Sequence, residues 1–107
     1  MQRIRVLLVE DDEDDAVLVR DLLADIPDVS YEVDWVSEFG KARTAIDRPS
    51  HDVCLLDYRL GGHDGLELLR HARDGECPMP IVVLTGHGEH EVDEQALAAG
   101  AADFLAK

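Results

Sequence analysis

The sequence is short of cysteine, of basic side chains and of long apolar runs. Cys54 lies in an apolar run and Cys77 in a loop rich in Gly and Pro, which provides neither a disulfide framework nor metal-binding spacing. The 10 Lys and Arg stand against 24 Asp and Glu, and this charge of -14 argues against direct binding of nucleic acid. No apolar run approaches the roughly 20 residues that span a bilayer, and the N-terminal stretch is too short for a secretion signal. We expect one soluble, cytoplasmic domain over residues 1–107, without membrane contacts.

Apolar runs without alternation predict three strands that are covered on both faces, at residues 4–9, 52–57 and 80–85. Residues 31–36 alternate, which predicts a strand with one solvated face at an edge of the sheet. Residues 102–107 form a short fifth strand. The strands alternate with helical patterns, so we predict an α/β domain with a parallel sheet and right-handed crossovers.

Each of the four helical segments has a recognisable boundary. In the first, Ala16, Val19, Leu23 and Ile26 keep helical spacing until Pro27. Ser37 is predicted to cap a second helix that ends near Pro49, and Asp64 a third that carries Leu66 and Leu69. Asp12 is predicted to cap the first helix, and the fourth covers residues 89–99, closed by Gly100.

Chemically active side chains follow the predicted strands. Glu10 and Asp11 come after the first strand, Asp57 after the third, Thr85 after the fourth, and Lys107 closes the fifth. The carboxyl ends of parallel strands meet at one edge of the sheet, where open α/β sheets bind ligands. These five residues are therefore predicted to form one site.

Three carboxylates at this edge repel one another and call for a cation. A hard divalent ion with oxygen ligands neutralises them, and Mg²⁺ suits one or two carboxylates, waters and a phosphoryl oxygen. Lysine and threonine add a second positive charge and a hydrogen bond. A carboxylate in such a pocket can itself accept a phosphoryl group, and Asp57 is the candidate.

Four motifs, VLLVEDDEDD, LLDYRLGGHDGLELLR, PIVVLTG and AGAADFLAK, closely resemble the receiver domains of two-component response regulators. The resemblance covers essentially the whole chain. It implies a doubly wound, flavodoxin-like sheet with strand order 2-1-3-4-5. It also implies that Asp57 takes a phosphoryl group from a phosphohistidine of a sensor kinase or phosphotransfer protein, and that the change is passed to a downstream effector or output domain.

The same resemblance implies a role for each matching position. The metal ligands are Asp11 and Asp57 directly, Glu10 through water, and the backbone carbonyl of Arg59. The residues that bind phosphate or change position on phosphorylation are Thr85, Lys107 and Phe104.

The sequence departs from the family pattern at a few positions. Glu10 replaces the commoner aspartate, and Gly61 stands where proline is usual, which predicts a looser loop. Arg59 and His87 occupy positions at which the rate of self-dephosphorylation varies in the family. The sequence ends at Lys107, before the last helix of a receiver domain, so we expect an apolar sheet face that is either exposed or covered by a partner.

Three other interpretations compete with this one. A phosphatase of the haloacid dehalogenase type needs an acid two residues after the nucleophile, where this chain has Arg59. An EF-hand counted from Asp11 has Ala16 and Leu22 where glycine and glutamate are required. The third is an interaction module with a receiver fold that works without phosphorylation, and failure to bind Mg²⁺ favours it.

Overall fold

The computed structural model of the protein describes residues 2–60, 62–85 and 90–106. Apart from two short strands after the third strand of the sheet, the strands and helices follow one another in the predicted order. In chain order they are β1 (Gln2–Val9), α1 (Glu13–Ala24), β2 (Val29–Val36), α2 (Phe39–Asp47), β3 (Val53–Asp57), β4 (Arg59–Leu60), β5 (His63–Asp64), α3 (Gly65–Asp74), β6 (Ile81–Thr85), α4 (His90–Ala98) and β7 (Asp103–Ala106).

Five strands form one parallel sheet in the order β2-β1-β3-β6-β7. Counted among these five strands alone, the order is 2-1-3-4-5, which confirms the flavodoxin-like α/β fold. Strand β2 lies at an edge, as its alternating sequence predicts. The register pairs Val9 with Leu56 and Asp57 with Leu84, so the carboxyl ends of β1, β3 and β6 lie side by side.

Successive side chains of β1 enter two cores of unequal size, because side chains alternate between the faces of a strand. Leu7 and Val9 belong to the larger core, which includes buried side chains of α2, α3 and α4. Leu8 packs in a smaller cluster whose other buried members are Ala16 of α1 and Leu84 of β6. The sheet is therefore covered more completely on the face of α2 and α3 than on the face of α1.

An apolar groove of about 260 Å³ lies on this less covered face, between α1 and the strands β3, β6 and β7. Leu18 and Leu22 of α1 and Leu105 of β7 line it, and these side chains are 53%, 59% and 54% exposed. The groove makes the α1 face of the sheet apolar at its surface.

Two predicted helix caps are confirmed. The carboxylate of Asp12 accepts a hydrogen bond of 2.9 Å from the backbone N–H of Asp14, at the start of α1. Asp64 caps α3 in a capping box with Glu67. Within the described ranges, no helix has the length and apolarity needed to cross a membrane.

Three local predictions are wrong. Ser37 does not cap α2, because the backbone stays extended through Glu38 and the helix begins at Phe39. Ile26 does not continue the inward face of α1, which ends at Ala24, and it is 41% exposed. The sequence predicts only a loop after β3, whereas the structure has a short antiparallel hairpin of β4 and β5 there, in which Arg59 pairs with Asp64.

Candidate functional site

The polar residues of the described ranges that are buried over backbone and side chain together all lie at the predicted edge of the sheet. They are Glu10, Asp57 and Thr85, which are 0%, 5% and 2% exposed. Glu10 directly follows β1, Asp57 ends β3, and Thr85 ends β6. A buried carboxylate is costly unless it is paired, hydrogen-bonded or bound to a metal, so its retention points to function.

Three carboxylates converge here. Glu10, Asp11 and Asp57 each offer an oxygen, and these atoms lie within 4.8 Å of one another. At that distance and an effective dielectric of about 20, each pair of charges repels by roughly 3 kcal/mol before screening. Oxygen donors of this kind and charge are what hard divalent cations bind. The cluster therefore fits a divalent metal ion.

The backbone at Glu10 is anchored to the neighbouring edge strand. Its N–H donates to the carbonyl of Val36 at 3.1 Å, and its carbonyl accepts from the indole Nε1 of Trp35 at 2.7 Å. Its side-chain Oε1 accepts from the backbone N–H of Asp12 at 3.2 Å. Hydrogen bonds from β2 and from the loop thus hold the first acid of the cluster.

The segment after Asp57 is tied back to the sheet. The N–H of Tyr58 donates to the carbonyl of Leu84 at 2.9 Å, and that of Gly65 donates to the carbonyl of Tyr58 at 2.6 Å. A Cβ at Gly65 would lie 2.5 Å from the carbonyl oxygen of Asp57, so only glycine allows this approach. The start of α3 is therefore packed directly against the candidate phosphoacceptor.

The hairpin of β4 and β5 is also held from its outer side. The imidazole of His63 stacks on the ring of Phe39, with ring centroids 4.1 Å apart. His63 lies in β5, and Phe39 is the first residue of α2. This contact joins the segment after Asp57 to the helix that follows the edge strand.

Only some of the other predicted site residues lie within the described ranges. The backbone N–H of Arg59 contacts Oδ1 of Asp57 at 3.4 Å, whereas the role predicted for its carbonyl stays a prediction. Phe104 is half-buried on β7 and packs against the larger core. Lys107, Gly61 and His87 lie outside the described residues.

Sequence reasoning missed two residues at this site, Trp35 and Gly65. The sequence pattern places Trp35 only on an alternating edge strand, and its contact with Glu10 depends on how β2 lies beside β1. The sequence marks Gly65 only as the residue at which a helical pattern resumes, and glycine is the residue type that allows close approach of another backbone. These residues act on the backbone of the acids rather than as ligands.

The fold and the site together define an α/β domain with an acidic, metal-type centre at the carboxyl edge of a parallel sheet. The chain belongs to the response regulator receiver domain family, whose sequence profile matches residues 6–107. It is a receiver domain of the two-component response regulators, which confirms the resemblance of its motifs.

Known relatives and solved structures agree with this assignment. The chain is 34% identical over 103 residues to the alginate biosynthesis transcriptional regulatory protein AlgB of Pseudomonas putida, covering 96% of this chain and 22% of AlgB. It is 33% identical over 104 residues to the transcriptional regulatory protein PhoP of Escherichia coli, covering 97% of this chain and 45% of PhoP. The crystal structure of NtrX from Brucella abortus superposes with a TM-score of 0.84 at 31% identity, covering 100% of this chain and 23% of NtrX. The chain thus spans less than half the length of these relatives.

Proposed function

We propose that Asp57 is the phosphoacceptor of this receiver domain. The observation that carries the proposal is the convergence of Asp57 with Glu10 and Asp11 at the ends of neighbouring strands. In the proposed step a carboxylate oxygen of Asp57 attacks the phosphorus of a phosphohistidine. A P–O bond forms, the P–N bond breaks, and the imidazole nitrogen keeps the electron pair of the broken bond.

Mg²⁺ is the proposed cofactor. Asp11 and Asp57 are proposed as direct ligands, Glu10 as a ligand through water, and the backbone carbonyl of Arg59 as a further one. When bound, the ion neutralises charge on the carboxylates and on the phosphoryl oxygens. The small, buried, all-oxygen donor set of Glu10 and Asp57 beside Asp11 supports this proposal.

Three further residues are proposed to respond to the phosphoryl group. Thr85 ends β6, one position after the register partner of Asp57, and its hydroxyl would donate a hydrogen bond to a phosphoryl oxygen. Lys107 is proposed as the phosphate-binding ammonium. Phe104 is proposed to turn further inward when Thr85 moves, which would alter the surface beside β7.

The proposed partners are a sensor histidine kinase or phosphotransfer protein upstream and an effector or output domain downstream, all acting in the cytoplasm. The domain itself is proposed to be a switch that loses its phosphoryl group by self-dephosphorylation, rather than an enzyme that turns over substrate. AlgB and PhoP are named as transcriptional regulators. In this chain the charge of -14 supports a domain that acts through protein contacts and leaves nucleic acid to other parts of the whole protein.

A last helix is proposed to cover the apolar groove beside α1 in the whole protein. The exposed leucines of the groove, Leu18, Leu22 and Leu105, support a helix with an apolar face as the covering element. Residues 1–107 would then be the receiver domain without this helix.

Intact-mass spectrometry tests the phosphoacceptor. The wild type, Asp57→Asn and Asp64→Asn are incubated with a small acyl phosphate, with Mg²⁺ or with a chelator. We expect one phosphoryl adduct on the wild type and on Asp64→Asn in Mg²⁺, and none on Asp57→Asn or with the chelator. An adduct that survives Asp57→Asn would assign the phosphoryl group to another residue and contradict the proposal.

A further inference from the structure

Trp35 contacts the backbone of the acid cluster from outside it. It is the single tryptophan of the chain, and it lies near the end of the edge strand β2 with 36% of its surface exposed. Its register partner on β1 is Leu8, yet its indole N–H reaches forward to the carbonyl oxygen of Glu10, at 2.7 Å. The side chain thus adds a hydrogen bond at the place where the ladder between β1 and β2 ends.

This bond fixes the peptide unit that joins two of the acids. The carbonyl of Glu10 and the N–H of Asp11 belong to one planar peptide group, so a donor on the carbonyl sets the orientation of the whole plane. The preceding peptide plane is set by the bond from the N–H of Glu10 to the carbonyl of Val36, at 3.1 Å. Adjacent residues of β2 therefore hold both planes that flank the α-carbon of Glu10.

The same segment is held further along by its own side chains. Oε1 of Glu10 accepts from the N–H of Asp12, whose carboxylate in turn accepts from the N–H of Asp14. The hydrogen bonds run from the edge strand through Glu10 to the first turn of α1. Without a cation the three carboxylates repel, so the backbone between Glu10 and Asp11 must be held against that force.

We propose that Trp35 is a positioning residue for the acid cluster. Its indole N–H holds the peptide between Glu10 and Asp11 in the orientation that binds Mg²⁺, so loss of this donor weakens Mg²⁺ binding. This inference rests on the proposed role of Mg²⁺ and goes beyond it by assigning a function to a residue that is not a ligand. Hydrogen bonds that orient the groups behind a ligand contribute to metal affinity.

The test separates the indole N–H from the ring. Trp35→Phe removes the donor and part of the ring, and replacement of Trp35 by the isostere 3-benzothienylalanine removes the donor alone. The matched control is Asp34→Asn, next to Trp35 on β2, which perturbs a side-chain hydrogen bond of the same 2.7 Å length between Nε2 of His51 and Oδ2 of Asp34. Mg²⁺ affinity is measured by titration calorimetry, and unfolding in urea without Mg²⁺ reports whether each variant keeps its fold.

We expect the Mg²⁺ dissociation constant to rise roughly 3- to 10-fold in both Trp35 variants, as the loss of one net hydrogen bond predicts. The control should bind as the wild type does. If the Phe variant is also destabilised, the isostere decides. An isostere with the dissociation constant of the wild type would overturn the inference and leave the proposed function intact. A wild type that binds no Mg²⁺ would overturn both the inference and the proposed cofactor.

Discussion

The α-carbon of Gly65 lies against the carbonyl group of Asp57, so closely that a Cβ on Gly65 would be 2.5 Å from the carbonyl oxygen and 3.0 Å from the α-carbon of Tyr58. Both of these neighbours are backbone atoms, which cannot turn aside as a flexible side chain does. We expect Gly65→Ala to lower the free energy of unfolding by about 1–3 kcal/mol, the usual cost of an overpacked site. Urea denaturation followed by circular dichroism measures the difference.

Gly40 supplies the matched control. It lies in the first turn of α2, and a Cβ there would meet no atom within 4 Å. Gly40→Ala should therefore raise the free energy of unfolding by about 0.5–1 kcal/mol, because alanine favours the helix and restricts the unfolded chain. Equal effects at Gly65 and Gly40 would show that the close approach to Asp57 is not the cause.

The N-terminal caps of α3 and α2 differ, and this difference gives a second prediction. Asp64→Ala removes the acceptor of a 2.7 Å hydrogen bond that the N–H of Leu66 donates, and it should lower the free energy of unfolding by about 1 kcal/mol. Glu38→Ala should change it by less than about 0.5 kcal/mol, since the Glu38 side chain makes no capping hydrogen bond. Thermal and urea unfolding of both variants give the comparison, and a larger loss at Glu38 would contradict the assigned caps.

Mg²⁺ should reverse the stability order of the wild type and Asp57→Asn. In a chelator, Asp57→Asn removes one of three mutually repelling charges, so we expect it to be more stable by about 1 kcal/mol. At about 100 times the dissociation constant, Mg²⁺ should stabilise the wild type by about 2.7 kcal/mol and the variant by less. The measurement is urea unfolding with and without Mg²⁺.

The control for this reversal is Asp21→Asn, an exposed acid of α1 outside the cluster that changes the net charge by the same amount. Its response to Mg²⁺ should equal that of the wild type. If Asp21→Asn and Asp57→Asn respond alike, Mg²⁺ acts by general screening and the cluster is not its site.

The two cysteines should differ sharply in reactivity. Burial raises the pKa of the Cys54 thiol from its ordinary 9.0 to about 12, with a smaller contribution from the charge of Cys77. At a pH below both pKa values, each unit by which the pKa rises lowers the thiolate fraction tenfold. At pH 8 the thiolate fraction of Cys54 should therefore be about a thousandth of that of an ordinary cysteine. A disulfide reagent should therefore react rapidly with the Cys77 that remains in Cys54→Ser, and slowly with the Cys54 that remains in Cys77→Ser. Equal rates in the folded variants would contradict the burial of Cys54.

The interior strands of the sheet were predictable because the apolar pattern of each strand lies within one short segment of the sequence. Strands β1, β3 and β6 each contain a continuous apolar run that leads to a polar residue, which already predicts the shared edge of Glu10, Asp57 and Thr85. The contact of Trp35 with Glu10 joins residues 25 apart and depends on the register between β1 and β2. No spacing within a single segment encodes that register.

The short hairpin and the start of α2 were missed for a related reason. A helix begins where the backbone leaves the extended region. The hydroxyl of Ser37 suggests a helix that starts one residue earlier than the observed one, because Glu38 is still extended and α2 begins at Phe39. The ring of Phe39 stacks on that of His63. Asp12 and Asp64 were predicted correctly because their caps are closed by groups two or three residues away. Caps with such local partners can be read from the sequence.

Strand β1 is an interior strand of the sheet although it is the first strand of the chain. Its inner neighbour begins only at Val53, the partner of Val6, after α1, β2 and α2 have been made. At roughly 5–20 residues per second, a ribosome needs on the order of several seconds to deliver that partner. Until then the last four residues of β1, which end fully buried, have one edge unpaired. The nascent chain, unlike the finished domain, therefore leaves this edge of β1 open to pairing with other strands.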